Sequence, residues 1–363
     1  MNFEIDALFI EDAVRSSELA QRLVARLNSK VPVSYVMDGR QAARPLPVDD
    51  AFVAGKRRLV VMNRRSRFLS PCPAAGAGLA CCGYLVLVLA SNCPMNCSYC
   101  FLQEYVADNP GLQIYANYAQ AFEELERLLR TNSARHFRIG TGELADSLAF
   151  DRVTGLSVDL VEFFRRHERL TLELKTKTDE IDNLLRMDPL GRVLVSWTLS
   201  PSRVYRSSEH GTAAPQARID AACRVREAGY RVGFHLDPII AYPQAETEYR
   251  ELLSMLFDAL APGEISFLSV GGLRMTPGLR AIARRRFPND PMLVGEEVLS
   301  PDGRYRACYP MRLRLYRSLA AHIQAKAPGL THYLCMETPA VVARALGTAP
   351  PSPAVLGERL ATA

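Results

Sequence analysis

Apolar positions through the middle of the chain recur with two alternating periods. Short runs dense in aliphatic and β-branched residues occupy 84–90, 136–139, 170–174, 193–199, 231–236 and 264–270. Between them, 118–129, 157–167, 180–186, 214–228 and 246–260 carry apolar residues at helical spacing. Phe122, Leu125 and Leu129, for example, stand three and four residues apart and share one helix face. Gly229, directly after Ala228, is a helix stop. Repeated strand–helix units imply a parallel sheet, because parallel neighbours need a crossover between them. Six such units predict an α/β fold, a partial (β/α)6 barrel of TIM type with N- and C-terminal extensions. The expected divisions are an N-terminal extension over 1–80, the barrel over 81–290, a C-terminal region over 291–348 and a flexible tail over 349–363. The tail expectation rests on Pro350-Pro351-Ser352-Pro353 and the small residues near it.

The 363 residues suffice for one barrel-sized domain or two smaller ones. No apolar run approaches the length of a bilayer span. The opening Met1-Asn2-Phe3-Glu4-Ile5-Asp6 has neither a basic segment nor an apolar one, so a cytoplasmic, reducing location is expected. Net charge is +5, concentrated in Lys56-Arg57-Arg58 with Arg64-Arg65-Ser66-Arg67, and in Arg284-Arg285-Arg286. Such stretches either meet a polyanion such as nucleic acid or form a solvated surface.

Polar residues gather where the predicted strands end, which is where βα barrels place their chemistry. The second strand ends in Gly140-Thr141-Gly142-Glu143 and the third in Lys175-Thr176-Lys177. The fourth holds Ser196 and Thr198, the fifth His235 and Asp237, and the sixth runs into Gly271-Gly272-Leu273-Arg274. Gly140 to Ala145 also fits a dinucleotide-binding G-x-G-x-x-A. That motif needs a helix opening inside the glycine loop, and the helical pattern starts only at Ser157. His235 with Asp237 reads as an acid–base pair or as a satisfied core histidine, and Arg274 as a phosphate contact or a helix cap.

The first strand runs into Cys93-Pro94-Met95-Asn96-Cys97-Ser98-Tyr99-Cys100, a C-x3-C-x2-C spacing. Three thiolates on one short loop hold three irons of a [4Fe–4S] cube and leave the fourth without a protein ligand. An open iron chelates S-adenosylmethionine, and an electron from the reduced cluster then releases a 5′-deoxyadenosyl radical. Zinc is the competing reading, but a closed zinc site takes four ligands, and the next histidine is only at His136. A disulfide framework does not suit a chain of this length with nine cysteines. Cys72, Cys81, Cys82, Cys308 and Cys335 read as small buried hydrophobes or as ligands of a second cluster, and Cys223 as mid-helix packing.

The cysteine run, with aromatic Tyr99 before its last member, matches the signature of the radical S-adenosylmethionine superfamily. Further segments resemble the spore photoproduct lyase family and its relatives in non-sporulating bacteria. They include Cys81-Cys82-Gly83-Tyr84, Phe101-Leu102-Gln103, the run 140–147, Leu174-Lys175-Thr176-Lys177, Trp197-Thr198-Leu199-Ser200, the run 229–238 and Leu334-Cys335-Met336-Glu337. The resemblance covers roughly 80–337. It implies a carbon–carbon lyase that uses the radical to open a methylene-bridged thymine dimer in DNA. Its implied cofactors are a [4Fe–4S] cluster and S-adenosylmethionine, and its implied electron donor is a protein such as flavodoxin or ferredoxin. By position, Cys93, Cys97 and Cys100 ligate the cluster and Tyr99 lies near the adenine. Glu143 with Gly142 faces the methionyl amino group, Lys177 the carboxylate and Thr198 the ribose. Period-two alternation puts Lys175 on the same face as Lys177. Gly140 departs from the family, which carries there a cysteine that quenches the product radical. Two other functions compete: radical chemistry on a nucleoside, RNA base or peptide, and a non-catalytic zinc or nucleic-acid-binding module.

Overall fold

A computed structural model describes residues 4–27, 31–73 and 78–362. The opening Met1-Asn2-Phe3, part of the segment read for targeting, lies outside the described residues. All six predicted strands are present, at Leu85–Leu87, Phe137–Gly140, Leu170–Thr176, Val193–Thr198, Arg231–Ile239 and Ile265–Gly272. They are consecutive neighbours, joined in parallel, in one eight-stranded sheet. Two edge strands complete it: Leu69–Pro71, antiparallel to the first, and His332–Leu334, parallel to the last. The helices Leu156–Phe164, Pro215–Glu227 and Ala245–Ala259 connect successive strands. Tyr309–Lys326 follows and packs beside the last of these. Crossovers of this kind bury both sheet faces, hence the nearly continuous apolar run Val193, Leu194 and Val195 at no exposure.

Strand alternation sorts the side chains. Leu172, Leu174, Val195, Trp197, Phe234 and Leu236 pack in the large core under the helices. The intervening positions Arg138, Glu173, Ser196 and His235 point the other way and meet each other inside the barrel. Register brings them together, since Gly140 pairs with Glu173, Lys175 with Ser196, and Thr198 with His235.

Three expectations need correction. The 180–186 pattern yields only one tight turn, Leu184–Arg186. Ile181 and Leu184 are buried by that single turn, and Pro189 follows too soon for a longer helix. The tail does not fray: Pro353–Thr362 is a helix that buries Leu356 and Leu360 against Leu194, Phe267 and Tyr333. Its last carbonyls accept hydrogen bonds from Thr171 Oγ1 (2.8 Å) and from Arg231 (2.9 and 3.0 Å), so it plugs the N-terminal end of the barrel. The boundary at residue 80 does not separate two sheets. A second sheet runs in the order Val33–Val36, Ala7–Glu11, Arg58–Met62, Leu112–Tyr115, Ala90–Ser91. Residues on either side of the cysteine loop therefore belong to the N-terminal layer.

Candidate active site

The cysteine loop is tied at both ends and along its length. Asn92, in left-handed backbone (φ 70), donates from Nδ2 to the Pro110 carbonyl (2.7 Å) and accepts from the Cys93 amide (2.8 Å). Asn96–Cys97 pairs antiparallel with Glu209–His210. Gln103, in the short helix Leu102–Tyr105, donates to the carbonyls of Ser98 (2.8 Å) and Cys100 (3.1 Å) and accepts from Arg286. Ser98 bonds to buried Asp290, which also accepts from Ser208 (2.8 Å).

Cys93 and Cys97 are buried and Cys100 half-buried. Burial pushes the Cys93 thiol far up, and raises Cys97 to about 11 against the opposing charge of Lys177. Thiolates this deep need a bound cation to exist. Among the described residues, no three Cys, His, Asp or Glu side chains converge tightly enough to hold a single metal ion. Three thiols on one well-held loop, each within electrostatic reach of another and flanked by Lys56 and Lys177, fit an iron–sulfur cube with one open corner.

Tyr99 and Lys177 meet at a carboxylate that the sequence did not single out. The Tyr99 hydroxyl donates to Glu209 and accepts from Lys177 Nζ (2.6 Å), which also pairs with Glu209 (2.8 Å). Glu209 accepts further from Ser200 (2.8 Å) and from Arg218 (2.6 Å), a fully buried pair. Burial opposes ionisation of Glu209, but Arg218 and Lys177 outweigh it and hold the carboxyl well below its usual range. Thr198 is buried alongside, its carbonyl accepting from Arg218 (2.7 Å).

Gly142 and Glu143 lie on the loop after Phe137–Gly140. Half-buried Asp146 pins that loop to the next strand, accepting from Thr176 Oγ1 and the Lys177 amide, both at 2.7 Å. A Cβ on Gly142 would stand 2.6 Å from Lys175 Cβ, so no side chain fits there and the backbone edge stays bare. Glu143 accepts from the Tyr84 hydroxyl (3.1 Å). Lys175 and Lys177 part company. Lys177 reaches the cysteine loop, while Lys175 acts on His235, Asp237 and Cys335 deeper in the barrel.

Of the two readings of His235 the structure favours the satisfied core histidine: it is buried and held by Glu173 (2.8 Å), with no hydrogen bond to Asp237. Asp237 forms a two-pronged pair with Arg274 (3.0 and 3.2 Å), whose Nη1 also donates to the Gly272 carbonyl (2.9 Å), so Arg274 does not cap a helix. Cys335 lies near Asp237, Arg274, Lys175 and Cys82. Cys81 shares hydrogen-bond contact with Cys72 and Cys82. Much of the basic charge is neutralised internally. Arg57 pairs with Glu4 and Asp6, Arg284 with Glu297, and Arg286 with Asp50.

The residues missed by sequence reading are Glu209, Arg218, Asp290, Gln103, Asp146 and Lys56. Gln103 and Asp146 lie inside segments that resemble the family and Lys56 inside a basic stretch, but none of the six had been given a role of its own. Each reaches the site through a tertiary contact.

A three-cysteine loop at the C-terminal rim of a curled parallel sheet defines a radical S-adenosylmethionine enzyme, built on a [4Fe–4S] cluster. The family model for spore photoproduct lyase matches residues 3–308. The chain belongs to the spore photoproduct lyase family. It is 25% identical over 274 residues to spore photoproduct lyase of Clostridium acetobutylicum, covering 75% of this chain and 79% of that one. With the Geobacillus enzyme it shares 26% over 244 residues, covering 66% and 69%. Among solved structures, spore photoproduct lyase complexed with dinucleoside spore photoproduct superposes with a TM-score of 0.82 at 21% identity, covering 92% of this chain and all of that one. A variant of that enzyme with bound AdoMet and the same dinucleoside gives 0.81 at 22%, covering 92% and 99%. Among the described residues, no helix is long and apolar enough to cross a membrane.

Proposed function

We propose that this enzyme opens the methylene-bridged thymine dimer of DNA, restoring two thymines. The observation that carries the reading is the family match over 3–308, on a chain whose three loop cysteines sit at the mouth of a polar-lined barrel. Cys93, Cys97 and Cys100 would hold the cluster, which together with S-adenosylmethionine supplies the 5′-deoxyadenosyl radical when bound. Lys177 carries three N–H donors, and Tyr99 and Glu209 take two. The third is left for the methionyl carboxylate. Glu143 has carboxylate lone pairs beyond the one that Tyr84 occupies, and these suit the methionyl ammonium beside the bare edge of Gly142. Tyr99, held rigid through Glu209, lines the adenine side, and Thr198 the ribose side. Below them Lys175, Asp237 and Arg274 face the lumen where the lesion would enter.

The electron would come from a one-electron protein such as flavodoxin or ferredoxin, in a cytoplasmic setting that spares the cluster. Reconstituted protein, given dithionite, S-adenosylmethionine and dinucleoside spore photoproduct without oxygen, is expected to convert the lesion to thymidine product. Formation of 5′-deoxyadenosine with the lesion intact would move the substrate to another nucleoside, RNA base or peptide.

A further inference from the structure

The short helix Ala51–Gly55 of the N-terminal layer ends at Lys56, which is only 6% exposed. Its stem leaves along the Phe52 ring, with Nζ 4.3 Å from the ring centroid. The ammonium donates to the carbonyl of Met95, which sits between Cys93 and Cys97. Phe52, Met95, Cys93 and Cys97 belong to one buried cluster, so the lysine is built into the loop.

A buried ammonium is costly to keep without a counter-charge. The other cations at this loop have carboxylate partners: Lys177 shares Glu209 with Arg218, and Arg286 pairs with Asp50. Among the described residues no carboxylate pairs with Lys56. The charges that face it are Cys93, Cys100, Cys97 and the cation Arg286. Its natural counter-ion is therefore whatever anion the three sulfurs carry.

We propose that Lys56 is a positioning residue for the radical chemistry, its buried charge paired with the cluster on the three cysteines so that the reduced state is favoured. Taking up one electron from a low-potential donor makes the cluster more negative by one charge. A fixed cation in a low-dielectric pocket stabilises the reduced form more than the oxidised one. Lys177, which shares Glu209 with Arg218, and Arg286, paired with Asp50, already have carboxylate partners, whereas Lys56 has none among the described residues. The N-terminal layer thus sets how readily the barrel's cluster accepts its electron.

The inference rests on the cluster reading, and the test separates the two. Parent, Lys56→Gln and Lys56→Arg are reconstituted anaerobically, assayed for iron and sulfide, and titrated by electron paramagnetic resonance for the cluster midpoint. The neutral Gln variant should shift the reduction equilibrium about tenfold or more against reduction, a fall of 59 mV for a one-electron couple. The Arg variant should stay near the parent. Should the Gln variant bind too little iron to titrate, Lys56→Met, which keeps the stem packing on Phe52, takes its place with the same expected shift. An unchanged midpoint in a fully loaded neutral variant, or equal shifts with Arg and with the neutral residue, overturns the proposal. A parent that binds no iron overturns the cluster reading instead.

Discussion

The ring of Tyr84 lies directly over Gly140. A Cβ built on Gly140 would stand 2.4 Å from Tyr84 Cε2 and 2.7 Å from Cδ2. The thiol that the family resemblance leads one to expect at this position is therefore replaced by an aromatic ring, whose hydroxyl is tied to Glu143 (3.1 Å). Overpacking of this kind costs roughly 1–3 kcal/mol. Gly140→Cys should lower the calorimetric Tm by several degrees, and adding Tyr84→Leu should recover part of the loss. A single variant as stable as the parent would show that the ring is free to move.

Glu209 holds together the side chains around Tyr99. With Arg218 and Lys177 both on it in a buried setting, Glu209→Gln leaves cations without their counter-charge. The expected loss is about 3–5 kcal/mol in denaturant unfolding. Affinity for S-adenosylmethionine should also fall, because Lys177 and Tyr99 lose their anchor. A variant within 1 kcal/mol of the parent, about the worth of an exposed pair, would contradict this.

Acid should unfold the protein through the same groups. Burial opposes ionisation of Glu209 and Glu173, but Arg218 and Lys177 on the first, and Arg138 and His235 on the second, hold both below the ordinary 4.5. Each binds protons more weakly folded than unfolded, so each contributes stability above about pH 4.5 that is lost as pH falls further. His235, kept neutral by burial and by Lys175, acts with the same sign from its ordinary 6.5 downward. Unfolding free energy measured against pH should drop on the acid side, and Glu209→Gln should flatten the portion below pH 4.5. An unchanged slope in that variant would remove Glu209 from the account.

The C-terminal helix Pro353–Thr362 closes the barrel floor with Leu356 and Leu360. Each buried leucine is worth roughly 1.5–3 kcal/mol. Leu360→Asp should destabilise the whole barrel by at least that much in thermal unfolding, whereas a frayed tail would tolerate it.

The fold was legible where local pattern and burial agree. The six strand runs around Val86, Ile139, Leu172, Val195, Phe234 and Leu268 are dense apolar segments buried on both sides, and each is a strand of one parallel sheet. That Cys93, Cys97 and Cys100 share one loop behind the first strand was legible from their spacing, and the cluster role proposed for them rests on that spacing. Glu209 was not, since its strand has two residues and pairs with Asn96–Cys97 far back in the chain. Lys56 stood among basic residues that read as a polyanion contact or a solvated surface, and only the packing of the N-terminal layer buries it. The helix after Pro353 was hidden by proline-rich surroundings, because its stability comes from Phe267 and Tyr333, with nothing local to announce it.

The central claim is that the three loop sulfurs hold a cluster that cleaves S-adenosylmethionine. It is tested most directly by counting 5′-deoxyadenosine from anaerobically reconstituted parent and Cys97→Ala, each reduced with dithionite. The parent should give product and the variant none above background. Equal yields, or no product from an iron-loaded parent, would contradict it.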